Sequence, residues 1–87
     1  MVRLPLTPEQ LANGKALGEA LRRARGDATL AVSAAAAGIS PETLRKIETG
    51  RLPSPSFFTI ASLCAHYGVS LDEIASLVHR SGLRAVL

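Results

Sequence analysis

The chain has no tryptophan, one tyrosine and two phenylalanines. Its core must therefore be aliphatic and alanine-rich, a composition that suits helices more than sheets. Cys64 is the one cysteine. It cannot close an internal disulfide or supply a cysteine-based zinc site, which excludes a secreted disulfide scaffold and leaves Cys64 as a small core hydrophobe. No apolar run approaches the ~18 residues of a transmembrane helix. Pro5, Pro8, Glu9 and Gln10 stand where a signal peptide needs an apolar stretch, so the sequence predicts a cytoplasmic protein with no membrane association. Cys64 and His66 lie two apart and would point to different faces of a helix, with His79 distant, so no metal site is expected. No nucleophile elbow or glycine-rich phosphate loop occurs, and the sequence predicts neither an enzyme nor a cofactor.

What is present is enough for one folded domain. Hydrophobic residues make up 47% and charged residues 20% of 87 positions, too apolar for a disordered tail and too short for two domains. The formal charge of +3 is unevenly placed. Arg3, Lys15, Arg22, Arg23, Arg25, Arg45, Lys46 and Arg51 face only Glu9, Glu19, Asp27, Glu42 and Glu48 in the first half, whereas Arg80 and Arg84 balance Asp72 and Glu73 in the second. The excess fits an anionic partner for the first half, or a solvated surface with a small imbalance.

Helix start and stop signals divide the chain into five helices. Thr7-Pro8 opens the first, which runs to about Arg25 and ends at Gly26-Asp27. Leu17, Leu21 and Ala24 fall on one face, with Leu11 about a turn earlier. Gly14 and Gly18 should weaken its front half by roughly 1 kcal/mol each relative to alanine. A second helix, capped by Thr29, covers about Leu30 to Ala37 and stops at Gly38. Ser40, Pro41 and Glu42 begin a third that ends at Gly50, with Leu44 and Ile47 as its apolar pair. Pro53 and Pro55 stiffen the next loop. A fourth helix follows from about Ser56 to Tyr67, stopped by Gly68. Ser70 and Glu73 form a capping box for the fifth, with Leu71, Ile74, Ala75 and Val78 as its stripe and an end near Arg80. The single domain spans 1–87, with a core of about 8–80 and a flexible or partner-bound tail at 81–87. Phe57 and Phe58 are adjacent and cannot share one face; either they cover a loop or one of them meets a partner, and the same alternatives apply to Leu83, Val86 and Leu87 in the tail.

Two short helices joined around Gly38, the second capped by Ser-Pro-Glu, have the layout of a helix-turn-helix. Ala34 is small where the helices cross, Gly38 makes the turn with positive φ, and Ile39, Leu44 and Ile47 hold the second helix to the body.

From Leu17 to about Leu77 the chain resembles the lambdoid Cro and repressor helix-turn-helix proteins, the XRE family. The matching stretches are Leu17 to Arg25, Ala37-Gly38-Ile39-Ser40, Leu44 to Arg51, and Gly68 to Ile74. The resemblance implies an all-α, five-helix, lambda-repressor-like DNA-binding domain. It implies a sequence-specific transcriptional regulator that binds double-stranded DNA as a homodimer on a palindromic site, with the recognition helix at about 41–49 in the major groove. It places Pro41, Glu42, Thr43, Arg45 and Lys46 at base edges and nearby phosphates, Thr29 and Ser40 at the helix starts beside them, and Thr49, Gly50 and Arg51 at the exit, where backbone N–H groups and Arg51 would hold a phosphate. Lys46 or Arg45 suits guanine, and Glu42 suits cytosine or serves only the helix dipole. Arg22 and Arg25 are placed equally well at the DNA backbone or on ordinary surface. The resemblance further implies a partly buried ion pair between Arg23 and Glu48 that orients the recognition helix. The sequence departs from the family at Leu30, where a phosphate-binding Gln is usual, at Pro41, and at Ser33, where a large apolar residue is usual and Val32 or Leu30 would have to compensate. The alternative function is a protein-interaction module of the same fold, antitoxin-like or binding a transcription component through Phe57 or the tail.

Overall fold

The computed structural model describes the backbone of residues 6–86 and the side chains of residues 6–79. Five helices follow in order: α1 (Pro8–Arg25), α2 (Leu30–Ala37), α3 (Pro41–Glu48), α4 (Phe57–Tyr67) and α5 (Leu71–Val86). Among the described residues there is no strand. No described helix is long and apolar enough to cross a membrane.

Local chemistry sets the starts and stops. The hydroxyls of Thr7, Thr29, Ser40 and Ser56 accept from the backbone N–H three residues on, satisfying a donor that the first helical turn leaves open. Pro8 and Pro41 each sit at the start of their helix, where a missing N–H costs nothing. Gly38 is left-handed at φ 70°, and the Ile39 N–H donates to the Ala34 carbonyl at 3.0 Å, closing α2 with a Schellman turn.

Two expectations about the helix ends are corrected. The reciprocal capping box is formed by Thr7 and Gln10, at 2.8 and 3.1 Å. At α5 only half of one exists: the Glu73 N–H donates to Ser70 Oγ at 3.0 Å, while the exposed Glu73 carboxylate makes no return bond. The fifth helix also does not stop near Arg80; its backbone continues through Ser81-Gly82 to Val86. A single interior glycine costs only about 1 kcal/mol, and Leu83, Arg84 and Ala85 beyond it are good helix formers. Leu83, Val86 and Leu87, expected as a partner surface, lie outside the described side chains.

Every helix contributes to one core: Ala20 and Leu21 from α1, Ala34 from α2, Leu44 and Ile47 from α3, Leu63 and Cys64 from α4, Ile74 from α5. Helix α1 lies against both α5 and α3, and α2 lies against α3 and α4. Leu11, placed in the apolar stripe of α1 by its spacing, is exposed. Val32 is 57% exposed and does not replace the large residue missing at Ser33; Leu30 is half-buried against the core. Ser33 itself is fully buried. Its hydroxyl and that of Tyr67 lack well-directed hydrogen bonds, although Ser33 is close enough to act on the phenol.

Burial raises the Cys64 thiol, and burial, as the larger of opposing influences, raises the Tyr67 phenol. In the unfolded chain the two groups release protons near 9.0 and 10.0. The unfolded state therefore sheds protons first, so this contribution is complete below about pH 8 and is lost as pH climbs toward the higher folded values. Thermal melts should fall through the alkaline range, and less steeply for Tyr67→Phe. Identical alkaline slopes for the two proteins would count against this assignment.

Candidate nucleic-acid interface

The geometry begins with the glycines of α1. A Cβ on Gly18 would run into the Ile47 carbonyl and lie 2.8 Å from the Glu48 carbonyl; one on Gly14 would strike Pro53. These glycines do more than weaken a helix. They let α1 approach the backbone of α3 and its exit loop, closer than any side chain permits.

That seat fixes the rotation of α1, and with it the ion pair. Glu48 is paired with Arg25, not with Arg23. Arg25 Nε donates to Glu48 Oε2 at 2.7 Å and a second guanidinium nitrogen donates to Oε1 at 3.1 Å. The side chains are 11% and 6% exposed. Gly14, Gly18, Leu21 and Arg25 repeat at i, i+4, i+7 and i+11, so they share the face that meets α3. Arg23 is five residues beyond Gly18, turned well away, and is exposed. The Glu48 hydrogen bond is the main reason the Arg25 guanidinium holds its proton even more firmly than usual. Arg25 also donates to the Ala28 carbonyl just before α2 at 2.5 Å. One side chain thus ties the start of α2 to the end of α3, and Arg25 is not free for a DNA backbone. Arg22, the other residue considered for that role, is exposed and reaches the Gly26 carbonyl at 3.4 Å.

The turn between α2 and α3 holds three residues, Gly38 to Ser40. Helix α3 buries Leu44 and Ile47 and turns Pro41, Glu42, Arg45 and Lys46 to the outside. Lys46 Nζ is 3.9 Å from Glu42 Oε1, an exposed i,i+4 pair of the kind worth little. The ion pairs among the described residues are this one and Arg25–Glu48. Arg45 and Arg51 are exposed and belong to neither.

The hydroxyl groups in the candidate set already have internal work. Thr29 Oγ1 accepts from the Val32 N–H at 3.1 Å. Ser40 Oγ accepts from the Thr43 N–H at 3.1 Å and lies 2.9 Å from Thr43 Oγ1. Thr49 Oγ1 donates to the Arg45 carbonyl at 2.9 Å. The exit of α3 is corrected in one respect. The N–H groups of Thr49 and Gly50, expected to be open to a phosphate, donate to the carbonyls of Arg45 and Ile47 at 3.0 and 3.1 Å. The last helical turn closes on itself there, leaving the N–H of Arg51 without a backbone partner among the described residues and the cationic side chains exposed.

Sequence reasoning missed Arg25 as Glu48's partner and Gly14 and Gly18 as contact points. The signal for all three was the glycine pair four apart, continued along the same face.

A search of curated proteins finds no match to the chain. A family model described as a helix-turn-helix domain matches residues 16–77, from the middle of α1 into α5. That span contains the Gly18 seat, the Arg25–Glu48 tie, the Gly38 turn and the outward face of α3, and over it the chain belongs to the helix-turn-helix domain family.

Proposed function

We propose that this protein is a sequence-specific DNA-binding transcriptional regulator of the lambdoid Cro and repressor kind, with α3 entering the major groove. One observation carries the reading: α3 is anchored on one face by Leu44 and Ile47, while the opposite face offers Arg45 and Lys46 to the outside. Arg45 or Lys46 donates to guanine O6 and N7, and Arg51 neutralises a backbone phosphate. Thr29, Ser40, Pro41, Thr43 and Thr49 shape the contact surface around them. Glu42 adds a like charge to the DNA's own and lowers affinity except where it meets a cytosine amino group.

The protein acts as a homodimer on a palindromic site, its half-sites about 34–36 Å apart. Support comes from the start of α4. Phe57 and Phe58 are 65% and 80% exposed. Phe57 also borders an apolar groove of about 470 Å³ between α1, α4 and α5, where Leu17, Ile60, Leu71 and Val78 line the wall. The same exposed pair supports the second reading, a module that binds another protein. Phe58→Asp separates them: it yields monomers with weakened DNA binding if the pair joins two copies, and leaves the free chain's oligomeric state unchanged if it serves a different partner.

Lys46→Ala should weaken binding to the preferred site by about 1–3 kcal/mol per half-site and relax preference at the equivalent base position of each half-site. A mobility-shift titration measures this. Equal loss on specific and mixed-sequence duplexes would move Lys46 from base reading to phosphate contact.

A further inference from the structure

We infer that Lys15, on α1 and far from α3 in sequence, is a backbone-phosphate contact at the exit of the recognition helix. The inference rests on the DNA-binding reading above and extends it to a residue outside the helix-turn-helix.

Gly50 lies at the centre of the contact. Its φ is +79°, in the left-handed region that favours glycine. A Cβ there would also lie 3.2 Å from Lys15 Cα, 3.4 Å from its Cβ and 3.6 Å from its Cγ. The stem of Lys15 therefore passes directly over Gly50. Two neighbouring contacts hold it in that place: Gly14 against Pro53, and Gly18 against Ile47 and Glu48. A stretch of α1 is thus laid along the end of α3 and its exit loop by three close backbone approaches.

The consequence is electrostatic. Lys15 is exposed and belongs to neither ion pair found among the described residues. It stands beside the segment that carries Arg51, also exposed and outside both pairs. The N–H groups of Thr49 and Gly50 are occupied internally, so most of the charge available to an anion at this corner comes from side chains. A flexible four-carbon stem ending in an ammonium suits a phosphate oxygen as a point charge and carries no base preference. The ligand is the phosphodiester backbone of the duplex that α3 reads.

The test uses the intact chain on a duplex recovered by selection and on a mixed-sequence duplex, titrated across a range of salt. Lys15→Gln keeps helix propensity and removes the charge. It should weaken binding to both duplexes by the same factor and reduce the slope of log K against log salt by about 0.9 per bound protomer, about 1.8 for the dimer, the share of one phosphate in each half-site. Lys15→Arg should restore the slope, and the variants should melt with the wild type. Wild-type slopes retained in Lys15→Gln would overturn the inference while leaving the DNA-binding reading intact. A wild-type chain that binds neither duplex would remove both.

Discussion

Arg25→Ala is expected to destabilise the fold by about 3–5 kcal/mol, the cost of leaving a buried carboxylate without its partner. Arg23→Ala, two residues away, should stay within about 0.5 kcal/mol of wild type, as exposed surface substitutions do. The contrast follows from the bidentate bonds of Arg25 to Glu48 and their low exposure. Chemical denaturation of the two variants decides it. Equal losses would mean that Glu48 is shared between both arginines, and a loss confined to Arg23→Ala would contradict the geometry outright. Replacing both members of the pair by apolar residues is a separate matter. Desolvation offsets most of the attraction in such pairs, so a well-packed double replacement should lose far less than Arg25→Ala alone. Its DNA affinity would then report on orientation: α3 would keep its anchors Leu44 and Ile47 but lose the tie at its C-terminal end.

Gly18→Ala should destabilise by about 3 kcal/mol or more, at the upper end of what an overpacked contact costs. The sign is informative. In an unhindered helix interior the same change stabilises by about 1 kcal/mol, because alanine has the better propensity. Here the added methyl meets the Ile47 carbonyl, which accepts from the Gly50 N–H, and the Glu48 carbonyl beside it, both main-chain groups at a helix end that cannot swing aside like a side chain. Relief requires α1 to move away from α3, which would also pull Arg25 from Glu48. At about 4–8 °C for each kcal/mol in a domain of this size, the melting temperature should drop by about 12 °C or more. A raised melting temperature would show that α1 and α3 do not meet as closely as the Gly18 contact places them.

The helix-turn-helix itself was legible in the sequence because its limits are set by local chemistry. Thr29, Gly38, Ser40 and Pro41 each act within a turn of their own position, and α2 and α3 begin and end where those residues place them. The partner of Glu48 was not legible in the same way. Choosing between Arg23 and Arg25 requires the rotation of α1 about its axis, which is a tertiary quantity set by where Gly14 and Gly18 touch α3 and its loop. Read only as poor helix formers, those glycines gave no direction. Read as points of close approach, they place Arg25 toward α3. The end of α5 failed for a different reason: a stop at Ser81-Gly82 gives one glycine more weight than the helix formers after it. Phe57 and Phe58 were legible as a conflict, since neighbours on a helix cannot share a face, but their joint exposure depends on how α4 is turned against α1 and α5. Lys15 was beyond sequence reading altogether, because its place over Gly50 depends on the same seating of α1.

In the proposed function, the outward face of α3 reads DNA sequence. The most direct test of this is selection of bound fragments from a genomic pool by the intact chain, followed by titration of the enriched duplex at several salt concentrations. The expected result is one recurring pattern with twofold symmetry, half-sites about 34–36 Å apart, and affinity that falls steeply with salt. A pool that emerges without any shared pattern, or a chain that retains no DNA at low salt, would contradict it.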